Sequence, residues 1–384
     1  MLLPDGCMVF PSQLRLVPAS GGTMFAEWFD LWLSLVLPIR PPPDTDRLAG
    51  SLIGQCLGDA VGFVVEGYSR EICQEYVDEI LLTDKAGTIG RSPHAFGQYT
   101  DDSQLARTLI ESYVACRGFN PGDYARRIAE LFSEQRVVGR GRASTAAAVR
   151  LARGVPWREA GVPAPYAGNG AAMRAAPIGW MFPHRQTTLI QAAQDQARIT
   201  HTDPRAVAGS VAIAGAVALA LRAGHGRLKR DVVIDTLVRW VRPIEPLFAA
   251  DLEQLHTLLS RDPADAHWLI SRAGSKSGEA DTHRWPTDTD TISPYVVPSV
   301  LWSLYSFLRA PDDYWRAVCL AVSGGGDTDT TAAMTGAISG AYLGLDAIPR
   351  PLALRLNDCG TWDFESLCGL VDAFSAVQSR GLVS

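Results

Sequence analysis

Apolar residues recur along most of this chain at intervals of three and four, the spacing that gathers them on one face of an α-helix. Asp44 or Thr45 can cap a helix that runs through Leu48, Leu52 and Leu57. Asp101-Asp102 opens another, with Leu105, Leu109 and Tyr113 on one face. Pro121 takes a first-turn position ahead of Tyr124, Ile128 and Leu131. Asp203-Pro204 pairs a capping acceptor with proline at the first helical position, a strong start signal. Pro311 reads the same way before Tyr314 and Val318. Alternating strand patterns are scarce, and no repeat of fixed period is present. The pattern therefore predicts an all-α bundle of ten or more helices.

Two stretches sharpen that picture. Ala206 to Leu221 is a run of sixteen residues without a charge. A membrane span needs roughly 20 apolar residues, and this run is mostly Ala, Val and Gly, so it is expected as a buried core helix. Gly336, Gly340 and Gly344 repeat every fourth residue, which places them on one helix face where another helix can approach closely. Residues 1–43 stand apart as an extension. They carry Gly21-Gly22, an apolar patch (Phe25, Trp28, Phe29, Leu31, Trp32, Leu33) expected to pack on the body, and the stiff linker Pro41-Pro42-Pro43. Residues 44–384 are expected to form a single all-α domain.

Composition narrows the function classes. Of 384 residues, 47% are hydrophobic and 20% charged, which excludes disorder across the chain. The net charge of −6 lacks the basic footprint of a nucleic-acid binder. No basic region marks residues 1–10 as a signal peptide. The seven cysteines are odd in number and scattered, with no CxxC pair. That argues against a disulfide framework or a thiolate zinc site and for a reducing cytoplasm.

The candidate chemistry lies in two acidic clusters, Tyr99-Thr100-Asp101-Asp102-Ser103 and Gly324-Gly325-Gly326-Asp327-Thr328-Asp329-Thr330. Each joins two carboxylates to threonines just before a helical pattern. Such hard oxygen donors suit Mg²⁺ or Mn²⁺, and adjacent carboxylates repel unless a cation stands between them. Asp and Thr also cap helices, but two clusters of the same chemistry, one framed by glycines, point to metal. A third acidic stretch, Thr287 to Thr291, lacks the glycine run and is read as a polar loop before the helix of Val300, Leu301 and Leu304. Asp59 and Glu66 lie two helical turns apart in Gly58–Glu66, although Gly62 and Val64-Val65 suggest that the helix ends before Glu66 and leaves it on a more mobile connection. Gly168-Asn169-Gly170 is a turn whose N–H groups could cradle a phosphate, and Thr200-His201-Thr202 sets a histidine beside a helix start.

Taken in order, GDAVGFVVE (58–66), YTDDS (99–103), GNGAAMR (168–174), THTDP (200–204) and GGGDTDTTAA (324–333) resemble the ADP-ribosylglycohydrolase family. These motifs span about Arg47 to Leu345, with the tail from Asp346 left for a last helix pair. The resemblance implies a compact all-α fold with a two-magnesium centre in a cleft, Mn²⁺ being able to replace Mg²⁺. By motif position the metal ligands would be Thr100, Asp101, Asp102, Asp327, Asp329 and Thr330. Glu66 matches a glutamate that reaches this centre and acts in catalysis, and Asp59 a position behind the ligands. Gly168, Asn169, Gly170 and Met173 fall where the family holds diphosphate and ribose, and His201 where it lines the ADP-ribose pocket. One departure is Ala167, where some serine-type members carry tyrosine; here Tyr166 comes one place earlier.

The implied activity is hydrolysis of ADP-ribose from protein side chains, arginine N-glycosidic linkages first. Serine-linked or small-molecule O-linked ADP-ribose is the alternative, as is a non-catalytic, crystallin-like reuse of the fold. All six ligand-type residues and Glu66 are present, which favours an enzyme. Cleavage at ribose C1″ develops positive charge on the sugar. Water activated at the metals would lose its proton to Glu66 or Asp102. No covalent intermediate is required, and no cysteine or serine is placed as a nucleophile. The substrate would be an ADP-ribosylated protein or an ADP-ribose conjugate, with neither nucleic acid nor membrane needed.

Overall fold

Asp44 caps the first helix as expected, its carboxylate accepting from the Asp46 amide at 3.1 Å. The computed structural model describes residues 44–224, 226–274 and 290–381, all within one compact unit beginning at Pro42. The extension 1–43 and its apolar patch lie outside the described residues, as do Thr287, Asp288 and Thr289 of the third acidic stretch.

Among the described residues, twelve α-helices have nine residues or more. They are α1 (Thr45–Phe63), α2 (Asp101–Cys116), α3 (Pro121–Ser133), α4 (Arg142–Ala152), α5 (Gln186–Arg198), α6 (Pro204–Arg222), α7 (Arg230–Val241), α8 (Pro263–Ser271), α9 (Val296–Arg309), α10 (Tyr314–Val322), α11 (Thr328–Leu343) and α12 (Phe364–Gly381). Extended pairing among the described residues is confined to isolated bridges. The fold is all-α, as the helical periodicity predicts.

The start signals at Asn120-Pro121 and Asp203-Pro204 operate as read: Asn120 accepts from two amides of the first turn, and Asp203 from Arg205 N at 2.9 Å. Pro311 is a correction. It sits in a turn, and α10 begins at Tyr314, where the Asp313 carboxylate accepts from the Arg316 amide at 3.0 Å. A proline three residues upstream marks the turn, while the acceptor side chain sets the boundary. The uncharged run falls in α6, long and apolar enough to cross a membrane by length and composition, yet 83% buried within the fold.

At the centre α1 and α11 cross almost backbone to backbone. A β-carbon at Gly50 would lie 2.6 Å from the Gly340 carbonyl oxygen, and one at Gly54 2.6 Å from that of Gly336. At Gly58 and Gly62 it would collide with the carbonyls of Ala332 and Thr328. The expected glycine face of α11 thus meets a second one, spaced by four on α1. Gly344 takes a different part: it ends α11 with φ of +86°, a conformation that favours glycine. The helices run antiparallel, so the C-terminal end of α1 lies against the N-terminal end of α11. That crossing sets Asp59 and Glu66 beside Asp327 and Asp329.

Candidate active site

Two backbone turns carry the acidic clusters. Thr100 is the N-cap of α2, and Asp101 and Asp102 occupy its first turn. Asp59, near the C-terminal end of α1, holds that turn in place. It accepts from Thr100 N (3.0 Å), Ser103 N (3.1 Å) and Ser103 Oγ (2.6 Å). Gly139, with φ of +74°, lets the chain pass over Asp101, and Gly141 N donates to Asp101 Oδ2 at 3.3 Å. On the other side Gly325 and Gly326 both have positive φ and deliver Asp327 to the start of α11. The Asp327 amide donates to Ile292 O at 2.8 Å, and Asp329 Oδ1 accepts from Thr330 N at 2.8 Å.

The fold brings the two clusters together. Glu66, Asp327 and Asp329 each place a carboxylate oxygen within 4.8 Å of the others. Asp102 feels the charge of Asp327 and Asp329, and the Thr330 hydroxyl lies near both Asp102 and Asp327. All five aspartates are buried. Burial holds the carboxyls of Asp101, Asp102 and Asp329 well above the usual carboxylate range, and repulsion from neighbouring acids raises them further. Burial also lifts Asp59 to about 7, against hydrogen bonds from Ser103 and Thr100 that pull it down. It lifts Asp327 to about 6, although Asn169 donates to its carboxylate. Glu66 is raised by burial and partly restored by Arg91.

This donor set fits a divalent cation. Asp102 Oδ2 accepts from Thr100 Oγ1 at 3.1 Å, while Asp102 Oδ1 is buried with no hydrogen-bond partner. An orphaned carboxylate oxygen among further buried acids is destabilising unless positive charge reaches it. Every nearby donor is a hard oxygen, the type preferred by Mg²⁺ and Mn²⁺.

The glycine turn adjoins this cluster through Asn169. Its side-chain amide donates to Ser299 Oγ at 2.9 Å and to Asp327 Oδ2. Its backbone amide donates to Pro294 O at 3.0 Å, so that N–H is committed to the protein, contrary to the expectation that it cradles a phosphate. Gly168 and Gly170 face His201: a β-carbon at either would stand 3.4 Å from His201 Nε2. Arg174 Nη2 donates to Thr200 Oγ1 at 2.7 Å, and Thr200 Oγ1 lies 2.8 Å from His201 Nδ1. The Thr200 hydroxyl thus bridges Arg174 and the Nδ1 side of the ring, which leaves Nε2 as the nitrogen nearest the glycine turn. Burial and then Arg174 depress the imidazole to about 3, so it is neutral. His201 thus presents Nε2 toward the glycine turn. Met173 departs from the group, with its side chain in the hydrophobic core. Its carbonyl still accepts from Gln55 Nε2 (3.0 Å), which also donates to Asp102 O (3.1 Å).

Glu66 follows the end of α1, as Gly62 and the valine pair suggest, but its turn is held rather than loose. Gly67 N donates to Gly326 O at 2.7 Å, and Arg91 donates to the carbonyls of Phe63 and Glu66. Of the third acidic stretch, Asp290 is half exposed and pairs with Arg70 at 3.7 Å. Several residues around the cluster escaped the sequence reading: Gln55, Arg91, Gly139, Gly141 and Ser299. Only the Gly139-Arg140-Gly141 spacing offered a signal, as a turn rich in glycine. The others lack a local pattern, and their partners become neighbours only on folding.

An all-α fold thus brings the acidic turns beside a glycine turn and a buried, neutral histidine. A family model described as ADP-ribosylglycohydrolase matches residues 40–381. The chain belongs to that family. It is 29% identical over 335 residues to ADP-ribosylhydrolase ARH3 of Gallus gallus, covering 81% of this chain and 88% of the relative. It is 27% identical over 331 residues to ADP-ribosylarginine hydrolase Tri1 of Pseudomonas putida, covering 83% and 76%. A solved structure titled ADP-ribosylglycohydrolase-related protein complex superposes with a TM-score of 0.61 at 27% identity, covering 87% of this chain and 98% of that one. The match to residue 381 takes the C-terminal tail into the family.

Proposed function

We propose that this protein is a metal-dependent hydrolase that releases ADP-ribose from modified protein side chains, arginine-linked ADP-ribose first, by attack of water at ribose C1″. The observation that carries the reading is the approach of two sequence-distant acidic clusters, Asp102 standing near enough to Asp327 and Asp329 to feel their charge, with one Asp102 carboxylate oxygen buried without a partner. Thr100, Asp101, Asp102, Asp327, Asp329 and Thr330 would hold two Mg²⁺ or Mn²⁺ ions. When bound, such ions supply positive charge that acidifies water and binds ribose hydroxyls. Glu66 accepts the proton of the attacking water, with Asp102 the other candidate. Its side chain is 35% exposed while the aspartates are buried, so it stands where the cluster opens to solvent. His201 Nε2 faces the ADP-ribose bound against Gly168 and Gly170, whose missing side chains leave it room. Asn169 keeps that turn in register with Asp327. The odd, scattered cysteines support a cytoplasmic setting.

A relative named ADP-ribosylarginine hydrolase supports the arginine linkage. One observation favours O-linked ADP-ribose as the second reading: the Tyr166 ring lies 6.0 Å from the His201 ring, which brings a tyrosine to this wall despite Ala167. The deciding experiment offers arginine-, serine- and ester-linked ADP-ribose side by side with Mg²⁺ and measures free ADP-ribose. Fastest release from arginine supports the proposal, fastest release from serine or ester transfers it to the second reading, and no release from any would reduce the fold to a non-catalytic use.

A further inference from the structure

Glu66 lies outside any helix, yet its carboxylate stands within 4.8 Å of those of Asp327 and Asp329. One guanidinium holds that turn. Arg91 Nη1 donates to Phe63 O at 3.0 Å, a carbonyl at the end of α1, and to Glu66 O at 2.8 Å in the turn beyond it. Arg91 Nη2 stands 3.8 Å from Glu66 Oε2. The guanidinium carbon lies 5.2 Å from the centre of the Phe63 ring. The far side of the turn is stitched to the glycine loop ahead of Asp327, through Gly67 N to Gly326 O (2.7 Å) and Gly326 N to Tyr68 O (2.9 Å).

As an ion pair alone this contact means little, because both side chains are 35% exposed and an exposed pair contributes about 0–1 kcal/mol. Its geometry carries the meaning. A single planar fork bonds two carbonyls, faces the carboxylate on the same turn and stacks on the last residue of α1. A lysine, with one compact ammonium, cannot meet those directions together. We propose that Arg91 is a positioning residue for Glu66: it fixes the turn that carries the base and leaves ADP-ribose binding to other groups. This rests on the proposed role of Glu66.

The test compares wild type, Arg91→Ala, Arg91→Lys and Arg355→Lys. Arg355 is a control, since it donates to Gly87 O and stacks on Phe96 without touching the Glu66 turn. In folded Arg91→Ala, kcat should fall by roughly 10²-fold, the scale of a misplaced catalytic group, while ADP-ribose affinity by calorimetry stays the same. Arg91→Lys should also lose kcat, Arg355→Lys should not, and the Gly67 amide should exchange faster in both Arg91 variants. Millimolar guanidinium should restore part of the rate to Arg91→Ala and none to Glu66→Gln. A folded Arg91→Lys with wild-type kcat and exchange overturns the proposal, as does a loss confined to ADP-ribose affinity. If wild type releases no ADP-ribose, the hydrolase reading fails, and exchange at Gly67 still decides whether Arg91 holds the turn.

Discussion

Glu66 and Asp329 carry the sharpest expectations at the scale of single residues. Glu66→Gln keeps size and hydrogen bonding but cannot take a proton. A positioned general base contributes about 10²–10⁴-fold, so single-turnover rates should drop in that range while calorimetry finds ADP-ribose bound as before. An unchanged rate would return the base role to Asp102. Asp329→Asn should cost orders of magnitude in rate without unfolding the protein, since it removes a buried charge beside Glu66, Asp102 and Asp327. Asp290→Asn should matter little, because Asp290 is half exposed and paired with arginines. Rates for the two Asn variants, measured together, would contradict the assignment if their order were reversed. The acids themselves were legible in the sequence, because paired carboxylates beside threonine and glycine are a local pattern. Asn169 was legible as part of a turn and, by motif position, as a substrate contact, but not as a partner of Asp327. Its bond to Asp327 spans 158 positions, and no spacing rule reaches that far.

Helix crossing explains how those acids meet. Half of the α1–α11 contact was readable as the glycines of α11. The matching stripe at Gly50, Gly54, Gly58 and Gly62 was hidden in a segment read for its carboxylates. Gly58→Ala would drive a methyl group into the Ala332 carbonyl beside Asp59. Overpacking of this kind costs about 1–3 kcal/mol, so Tm should fall and activity with it, as the ends bearing Asp59 and Asp329 separate. Gly369→Ala on α12 is the counterpart, because a β-carbon there meets nothing within 4 Å. Removing a mid-helix glycine should stabilise by roughly 0.5–1 kcal/mol. Equal thermal shifts for the two variants would contradict the close crossing. Pro311 shows why helix starts are read less securely than helix faces: a proline marks a turn, but the capping acceptor two residues later fixes the first hydrogen bond.

Across the whole molecule, the gathered carboxylates make stability depend on pH and cation together. A carboxyl raised on folding binds more protons in the folded state than in the unfolded one, so its stabilisation is present below about 4 and is lost as pH rises through the folded value. That value is about 7 for Asp59 and about 6 for Asp327, and Asp101, Asp102 and Asp329 are held well up. The buried imidazoles act in the opposite sense. His201, lowered to about 3, and His267, lowered to about 4, lose stabilisation as pH falls below their usual 6.5. Above that value the carboxyls dominate, so Tm of metal-free protein should fall from about pH 6.5 to 8 and recover on adding Mg²⁺; a flat profile would contradict the buried cluster. Deleting residues 1–43 should leave catalysis intact, since every matched motif lies beyond them, and loss of turnover in a well-folded truncation would place the extension at the site. Helical class and family were legible throughout because periodicity and ordered motifs are local, whereas the site's closure depends on contacts that only the folded chain makes. The most direct test of that closure is ADP-ribose release from arginine-modified protein by chelator-stripped enzyme, with and without added Mg²⁺. The account predicts no turnover until Mg²⁺ is restored; full turnover in excess EDTA would contradict it.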